Sequence, residues 1–185
     1  GPQTVIDALL DVLGEEGTLL MPTFNFDFCK GADWDVRETP SQMGFMTNLV
    51  RTDPRAKRVF HPIYSFAVIG KYAEAFGALR YKSSYGATSA FAKLCRLDGK
   101  IMVIGLSYND SMTFFHHIEE LQGVDYRYLK DFTGKITDWD GNTTENTYQM
   151  LVRDLDMGVR TMVDPMGALL EKVEISKVRK IGEAD

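Results

Sequence analysis

Between Leu13 and Thr18 the apolar rhythm of the chain changes. Val5, Ile6, Leu9, Leu10, Val12 and Leu13 recur at helical spacing up to Gly14, and "GTLLMPTFNF" then runs as an apolar stretch cut at Pro22. A striped helix feeding straight into a buried strand is the unit from which layered α/β domains are built. The alternation returns downstream. "SQMGFMTNLVRTD" reads as a helix opened by Ser41, "RVFHPIYSFAVIG" carries a strand ending at Gly70, and "KYAEAFGAL" is a short helix. "RYKSSYGATSAFAKLCRLDG" is a loop feeding a helix, "KIMVIG" reads as a buried strand, and "DSMTFFHHIEEL" as the next helix. Beyond Val124, "YRYLKDFTGKITDWDGNTTENTYQMLVR" alternates β-formers about Asp140-Gly141, a hairpin signal. A helix over 166–173 and a strand complete the expectation: an α/β fold with a mixed β-sheet flanked by helices and a late antiparallel hairpin.

The chain has 185 residues, 44% of them hydrophobic, enough to bury the core of one domain. It enters its first helix with almost no lead-in and stops inside a strand-like run. Residues 1–185 are therefore expected to form one domain lacking N- and C-terminal segments. Residues 24–40 have no period and read as a long loop, but Phe24, Phe26, Phe28 and Trp34 argue against disorder. A formal net charge of −5 argues against nucleic-acid binding, which wants a basic face. Cys29 and Cys95 have no CxxC spacing and read as ordinary thiols of a reducing compartment. No apolar run approaches the roughly 18 residues of a membrane span, and no signal peptide is legible, so the expected location is the cytoplasm.

Two of the three histidines, His116 and His117, stand side by side with Glu119 and Glu120 close behind. Successive helical residues diverge by about 100°, so the two imidazoles cannot face one pocket together. Residues three and four apart do share a face, which puts His116 beside Glu119 and Glu120 and His117 beside Thr113 and Leu121. A carboxylate on one imidazole nitrogen fixes the tautomer and leaves the other nitrogen free to take a proton. The competing reading is a solvated surface helix. A zinc site is a weaker alternative, because H-H-x-E-E is not the H-E-x-x-H spacing of metalloproteases. A nucleophile elbow in "GLSYN" fails because Asn109 stands where G-x-S-x-G needs its last glycine.

His61, before Pro62 at the entrance to a strand, is either a site residue or a turn histidine. Arg80, Lys82, Ser84, Gly86, Thr88 and Ser89 precede a helix start, a composition that favours phosphate; the plain alternative is a turn with Thr88 or Ser89 as N-cap. Asp110 and Glu120 could attract a cationic ligand, whereas Asp33 and Asp35 about Trp34 read as a solvated face.

In order along the chain, "GPQTVIDALLDVLGEEGTLLMPTF", "TPSQMGFMTNLVR", "HPIYSFAVIG", "SYGATSAFAKLCRLDGKIMVIG" and "TFFHHIEEL" resemble the aminoglycoside 3-N-acetyltransferase family, with a looser likeness through "YRYLKDF". The resemblance implies the antibiotic N-acetyltransferase fold, distinct from GNAT enzymes. It implies acetyl transfer from acetyl-CoA to an amine of an aminoglycoside or related amino sugar, and no metal. It places His116 and Glu119 in the T-x-x-H-x-x-E stretch and His61 in the H-P-x-H-S stretch as catalytic residues. The loop from Arg80 to Ser89 falls in a region expected near the coenzyme, and Tyr64, Ser65, Asp110 and Glu120 near the acceptor. Two positions depart from the pattern, Tyr64 for a histidine and Met112 for an asparagine, which opens the acceptor to nucleotide-linked amino sugars as well. Expected partners are thus coenzyme A and a small cationic amino sugar, with a homo-oligomer compatible. The reading from a different class is a non-catalytic coenzyme- or sugar-binding module on the same fold.

Overall fold

The computed structural model describes residues 1–180. Helix α1 (Pro2–Leu13) ends at Gly14, whose φ of 61° is the left-handed stop that glycine allows. Strand β1 (Thr18–Pro22) follows, then a loop holding a single 3₁₀ turn (Phe28–Lys30) and the two-residue strand β2 (Trp34–Asp35). Helix α2 (Phe45–Arg51), strands β3 (Lys57–Arg58) and β4 (Phe66–Gly70), and helices α3 (Ala73–Gly77) and α4 (Ala90–Arg96) come next. The chain continues through α5 (Tyr108–Ser111), α6 (Phe115–Gln122), the hairpin β5 (Arg127–Thr137) and β6 (Thr143–Arg153), and α7 (Asp164–Lys172).

Among the described residues the strands form two sheets of three, not one: an antiparallel β1-β4-β3 sheet, and β2-β5-β6, in which β2 runs parallel to β5. The period of two along β4 explains how the first sheet buries both faces. Ala67 and Ile69 join Ile6 and Val50 in a cluster under α1 and α2. Phe66 and Val68 point the other way, into a larger aromatic core with Phe24, Phe76, Tyr85 and Phe91. The loop of residues 23–40 is part of that core: Phe24, Phe28 and Trp34 are buried. Arg58, also buried, ties the loop down by donating to the carbonyls of Val36 (3.0 Å) and Thr39 (2.7 Å) and to Ser65 Oγ (3.2 Å). Burial pulls this guanidinium down to about 9, which its array of acceptors tolerates.

Several boundaries differ from the sequence reading. Ser41 does not open α2; its hydroxyl accepts from Met43 N and Thr47 Oγ1 in the preceding turn, and the helix starts after Gly44. The apolar run "KIMVIG" is not a buried strand: among the described residues it belongs to no strand and pairs with none. Ile101, Met102 and Ile104 are left 46%, 61% and 54% exposed. The histidine segment is two helices, broken over 112–114. No strand follows α7 through residue 180, and the end of that expected strand lies outside the described residues. The hairpin turn is as read: Asp138 accepts from the amides of Asp140 and Asn142, with Gly141 at a φ of 87°.

Candidate active site

Helix α6 carries the pair of histidines, and its twist sends them to different places. His117 is buried, and its Nδ1 donates to the Tyr85 carbonyl. His116, one residue earlier, lies on the wall of a cleft of about 560 Å³ formed by α5, α6, the start of the hairpin and residues 159–166. Tyr85 is held from both sides, its carbonyl by His117 and its ring against the His116 ring at 5.2 Å.

His116 Nδ1 donates to Glu119 Oε2 at 2.6 Å, with the two side chains 24% and 20% exposed. The carboxylate fixes the proton on Nδ1, so the lone pair sits on Nε2. Gly123 closes α6 in the left-handed conformation, and the chain turns back to start β5. That turn brings two further groups to the same carboxylate: Tyr126 donates its hydroxyl to Glu119 Oε1 at 3.1 Å, and Arg127 Nε stands 2.8 Å from Oε2. The Arg127 N–H is angled away from that oxygen, so the contact is ionic. Burial pulls the His116 imidazole below its usual value, the Glu119 hydrogen bond opposes this, and the Arg127 charge adds to the lowering. The ring is therefore neutral near pH 7 and equipped to accept a proton at Nε2.

The other residues singled out from the sequence divide into four places. Asp110 lines the same cleft as His116 and Glu119, accepting the Ser107 hydroxyl at 2.7 Å. Glu120 faces the loop before α4, where Ser83 Oγ lies 2.6 and 2.8 Å from its two oxygens. A Cβ on Gly86 would stand 2.9 Å from Glu120 Oε1, so glycine permits this approach. Ser84 gives both its amide and its hydroxyl to the Gln149 carbonyl of β6, and Ser89 is the N-cap of α4, accepting from Ala92 N at 3.2 Å. Thr88 is exposed. Arg80 and Lys82 line a different cavity of about 450 Å³ beside the hairpin, with Phe60 and Tyr148.

His61, Tyr64 and Ser65 belong to the core. His61 is fully buried, stacked on Tyr81 at 4.9 Å, and its Nδ1 accepts the amides of Ile63 and Tyr64 at 3.3 and 3.1 Å. Burial drops this imidazole to about 3. Ser65 donates to the Thr23 carbonyl at 2.9 Å and Tyr64 packs edge-on against Phe24 at 4.8 Å. Tyr126 and Arg127 have no role in the sequence reading; they stand three and four residues after the helix-closing Gly123, and no local signal marks them. Among the described residues no group of three His, Cys, Asp or Glu side chains could hold a metal ion, and no helix is long and apolar enough to cross a membrane.

A profile of the aminoglycoside 3-N-acetyltransferases matches residues 1–185. The chain belongs to this family. Aminoglycoside N(3)-acetyltransferase VII of Streptomyces paromomycinus is 30% identical over 161 residues, 74% of this chain and 54% of that protein. Aminoglycoside N(3)-acetyltransferase IX of Micromonospora chalcea is 32% identical over 144 residues, 67% of this chain and 51% of that protein. The chain thus spans about half the length of these curated relatives. Among solved structures, aminoglycoside acetyltransferase AAC(3)-Xa superposes with a TM-score of 0.76 at 28% identity, covering 95% of this chain and 70% of that one. AAC-IIIb, solved as a binary complex with CoASH, shares the fold at a TM-score of 0.76 and 22% identity, covering 96% of this chain and 73% of that one. The α/β class read from the sequence is therefore that of the antibiotic acetyltransferases.

Proposed function

We propose that this chain carries the acetyl-transfer centre of an N-acetyltransferase that moves an acetyl group from acetyl-CoA to an amine of an aminoglycoside or related amino sugar. The observation that supports it most is the His116–Glu119 pair on the cleft wall, 2.6 Å apart, with the imidazole held neutral. An amine at neutral pH is mostly ammonium, and only its free base attacks a thioester. His116 Nε2 takes the proton as the nitrogen bonds to the carbonyl carbon, the C–S bond breaks, and the coenzyme leaves as its thiolate. Glu119 keeps the ring in the required tautomer and offsets the charge it gains. Transfer is direct. Cys29, half-buried with its thiol pushed up to about 11, is unsuited to an acyl-enzyme route.

Asp110 is the acid on the cleft wall that suits a cationic acceptor, and Arg153 and Arg160 on the same wall offer cations to a phosphorylated co-substrate. Arg80 and Lys82 stand at the separate cavity beside the hairpin, which gives them a weaker claim to the coenzyme near the reacting histidine. The family membership and the CoASH complex of a fold neighbour support the co-substrate.

The test is a thiol-release assay in the intact protein with acetyl-CoA and a panel of aminoglycosides and nucleotide-linked amino sugars. His116→Ala is expected to lower kcat by about 10²–10⁴-fold with the fold intact. A loss under roughly threefold removes His116 from the role.

A further inference from the structure

Glu119 is an unusually crowded carboxylate. Its Oε2 is shared between His116 Nδ1 at 2.6 Å and Arg127 Nε at 2.8 Å, while Oε1 takes the Tyr126 hydroxyl at 3.1 Å. Arg127 comes from the first residue of β5, and its side chain is only 9% exposed, so its charge acts on the carboxylate through little water. A carboxylate beside one imidazole raises that ring's affinity for a proton. A guanidinium on the same oxygen offsets the negative charge and stands close to any imidazolium that forms.

We infer that Arg127 is a positioning residue for the His116–Glu119 pair: it locks the carboxylate in place and, by balancing its charge, keeps the imidazole a free base when an acceptor arrives. The inference rests on the acetyl-transfer reading for its functional meaning, but its electrostatic content concerns the free protein alone. A His–Glu pair without a cation would gain its proton at higher pH and reach the substrate already protonated over more of the neutral range. With the cation shared at Oε2, the pair is neutral overall only once the ring has accepted the substrate's proton and Arg127 is discounted; before that, Arg127 and Glu119 balance each other. Besides Tyr126, the charged or titratable groups about this space are Tyr85 from the loop before α4 with Tyr64 packed against it, Asp110 from α5, Arg153 from β6 and Arg160 from the segment before α7. None of these touches Glu119 Oε2, which singles out Arg127.

Tyr126 has a lesser part. Its hydroxyl fixes the second oxygen and so prevents the carboxylate from rotating away from Nδ1, without adding charge. The sequence places both residues on one short turn, so the closure of α6 at Gly123 serves to deliver them.

The experiment compares the parent with Arg127→Gln, Arg127→Lys and Tyr126→Phe in the intact protein, by NMR titration of the His116 ring without ligand, its resonance assigned by loss in His116→Gln. Arg127→Gln is expected to raise the His116 midpoint by about one pH unit, since a charge within a few ångströms is worth about that or more. Arg127→Lys, which keeps the cation, should stay within about 0.3 of the parent, and Tyr126→Phe should move it less than Arg127→Gln. In the acetyl-transfer assay the acidic limb of kcat/KM should move with the midpoint, and the fall at acidic pH should appear in kcat and not in KM. An unmoved midpoint in Arg127→Gln overturns the inference, and so does an equal shift in Arg127→Lys, which would show that the charge is not what acts. Because the ring titration is read without substrate, it stands whether or not His116→Ala abolishes transfer, and the two ideas can fail separately.

Discussion

His61 and His116 occupy two regions of opposite character, and the contrast teaches what makes a histidine available for chemistry. Around His61 the walls are aromatic: Tyr81 stacks on it, Tyr148 meets it edge-on at 4.9 Å, and its Nδ1 is occupied by two backbone amides. Around His116 one nitrogen is held by a carboxylate, a guanidinium stands beside that carboxylate, and a cleft lies in front of the ring. Burial lowers proton affinity in both, but only His116 has a counter-charge ready to accommodate the proton it accepts. The first ring therefore pins a turn, and the second keeps one nitrogen out of any hydrogen bond to the backbone.

The contrast is sharpest in a pair of deletions. His116→Ala should remove about 10²–10⁴-fold of kcat while leaving thermal stability nearly unchanged, whereas His61→Ala should cost about 3 kcal/mol of stability in chemical denaturation, because it opens a cavity and strands two amides. A destabilised His116→Ala protein with a normal kcat would invert the comparison.

Acid should separate the two regions next. His61 titrates near 3 in the folded chain and near 6.5 when unfolded, so the unfolded state takes the proton first as pH falls. Its contribution is fully present above about pH 6.5 and is lost progressively toward pH 3, about 5 kcal/mol in total. His61→Asn, whose side-chain oxygen can accept the same two amides, should flatten that part of the stability–pH curve relative to the parent. Equal acid sensitivity in the two proteins would mean that His61 does not carry it.

A smaller effect is expected where the two regions meet, in the loop that Glu120 holds through Ser83. Ser83→Ala should lower stability by about 1 kcal/mol, with KM rising more than kcat falls if the loop shapes the cleft wall. The smallest test is chemical. Cys95 is exposed and Cys29 half-buried against the aromatic core, its thiol pushed up to about 11. Limited iodoacetamide should label Cys95 well before Cys29 and leave acetyl transfer intact; early labelling of Cys29 would show that the core opens.

Much of this was legible in the sequence because the deciding signals are local. The helical rhythm of residues 5–13 ends at Gly14 as read, Asp140-Gly141 turns the hairpin, and i,i+3 spacing brought His116 to Glu119. What was not legible depends on partners far along the chain. "KIMVIG" has strand composition, but a strand needs an edge beside it, and the sequence cannot display that. The loop of residues 24–40 joins the core through Arg58, whose acceptors lie 19 to 22 residues away. The small, polar composition of the loop before α4 suggested phosphate, yet its Ser84 is committed to Gln149, 65 residues on. Tyr126 and Arg127 escaped notice for the same reason: nothing in "YR" announces which carboxylate the turn will present to it.

The H-H-x-E-E order has a consequence of its own. The i,i+3 pattern is written twice on α6, as His116 with Glu119 and as His117 with Glu120, and helical phase alone decides which copy meets the cleft. Sliding the helix by one residue turns it through about 100° and moves it about 1.5 Å, which would bring the spare copy toward the opening. The segment therefore writes one spacing twice, and phase, rather than composition, decides which copy lines the opening.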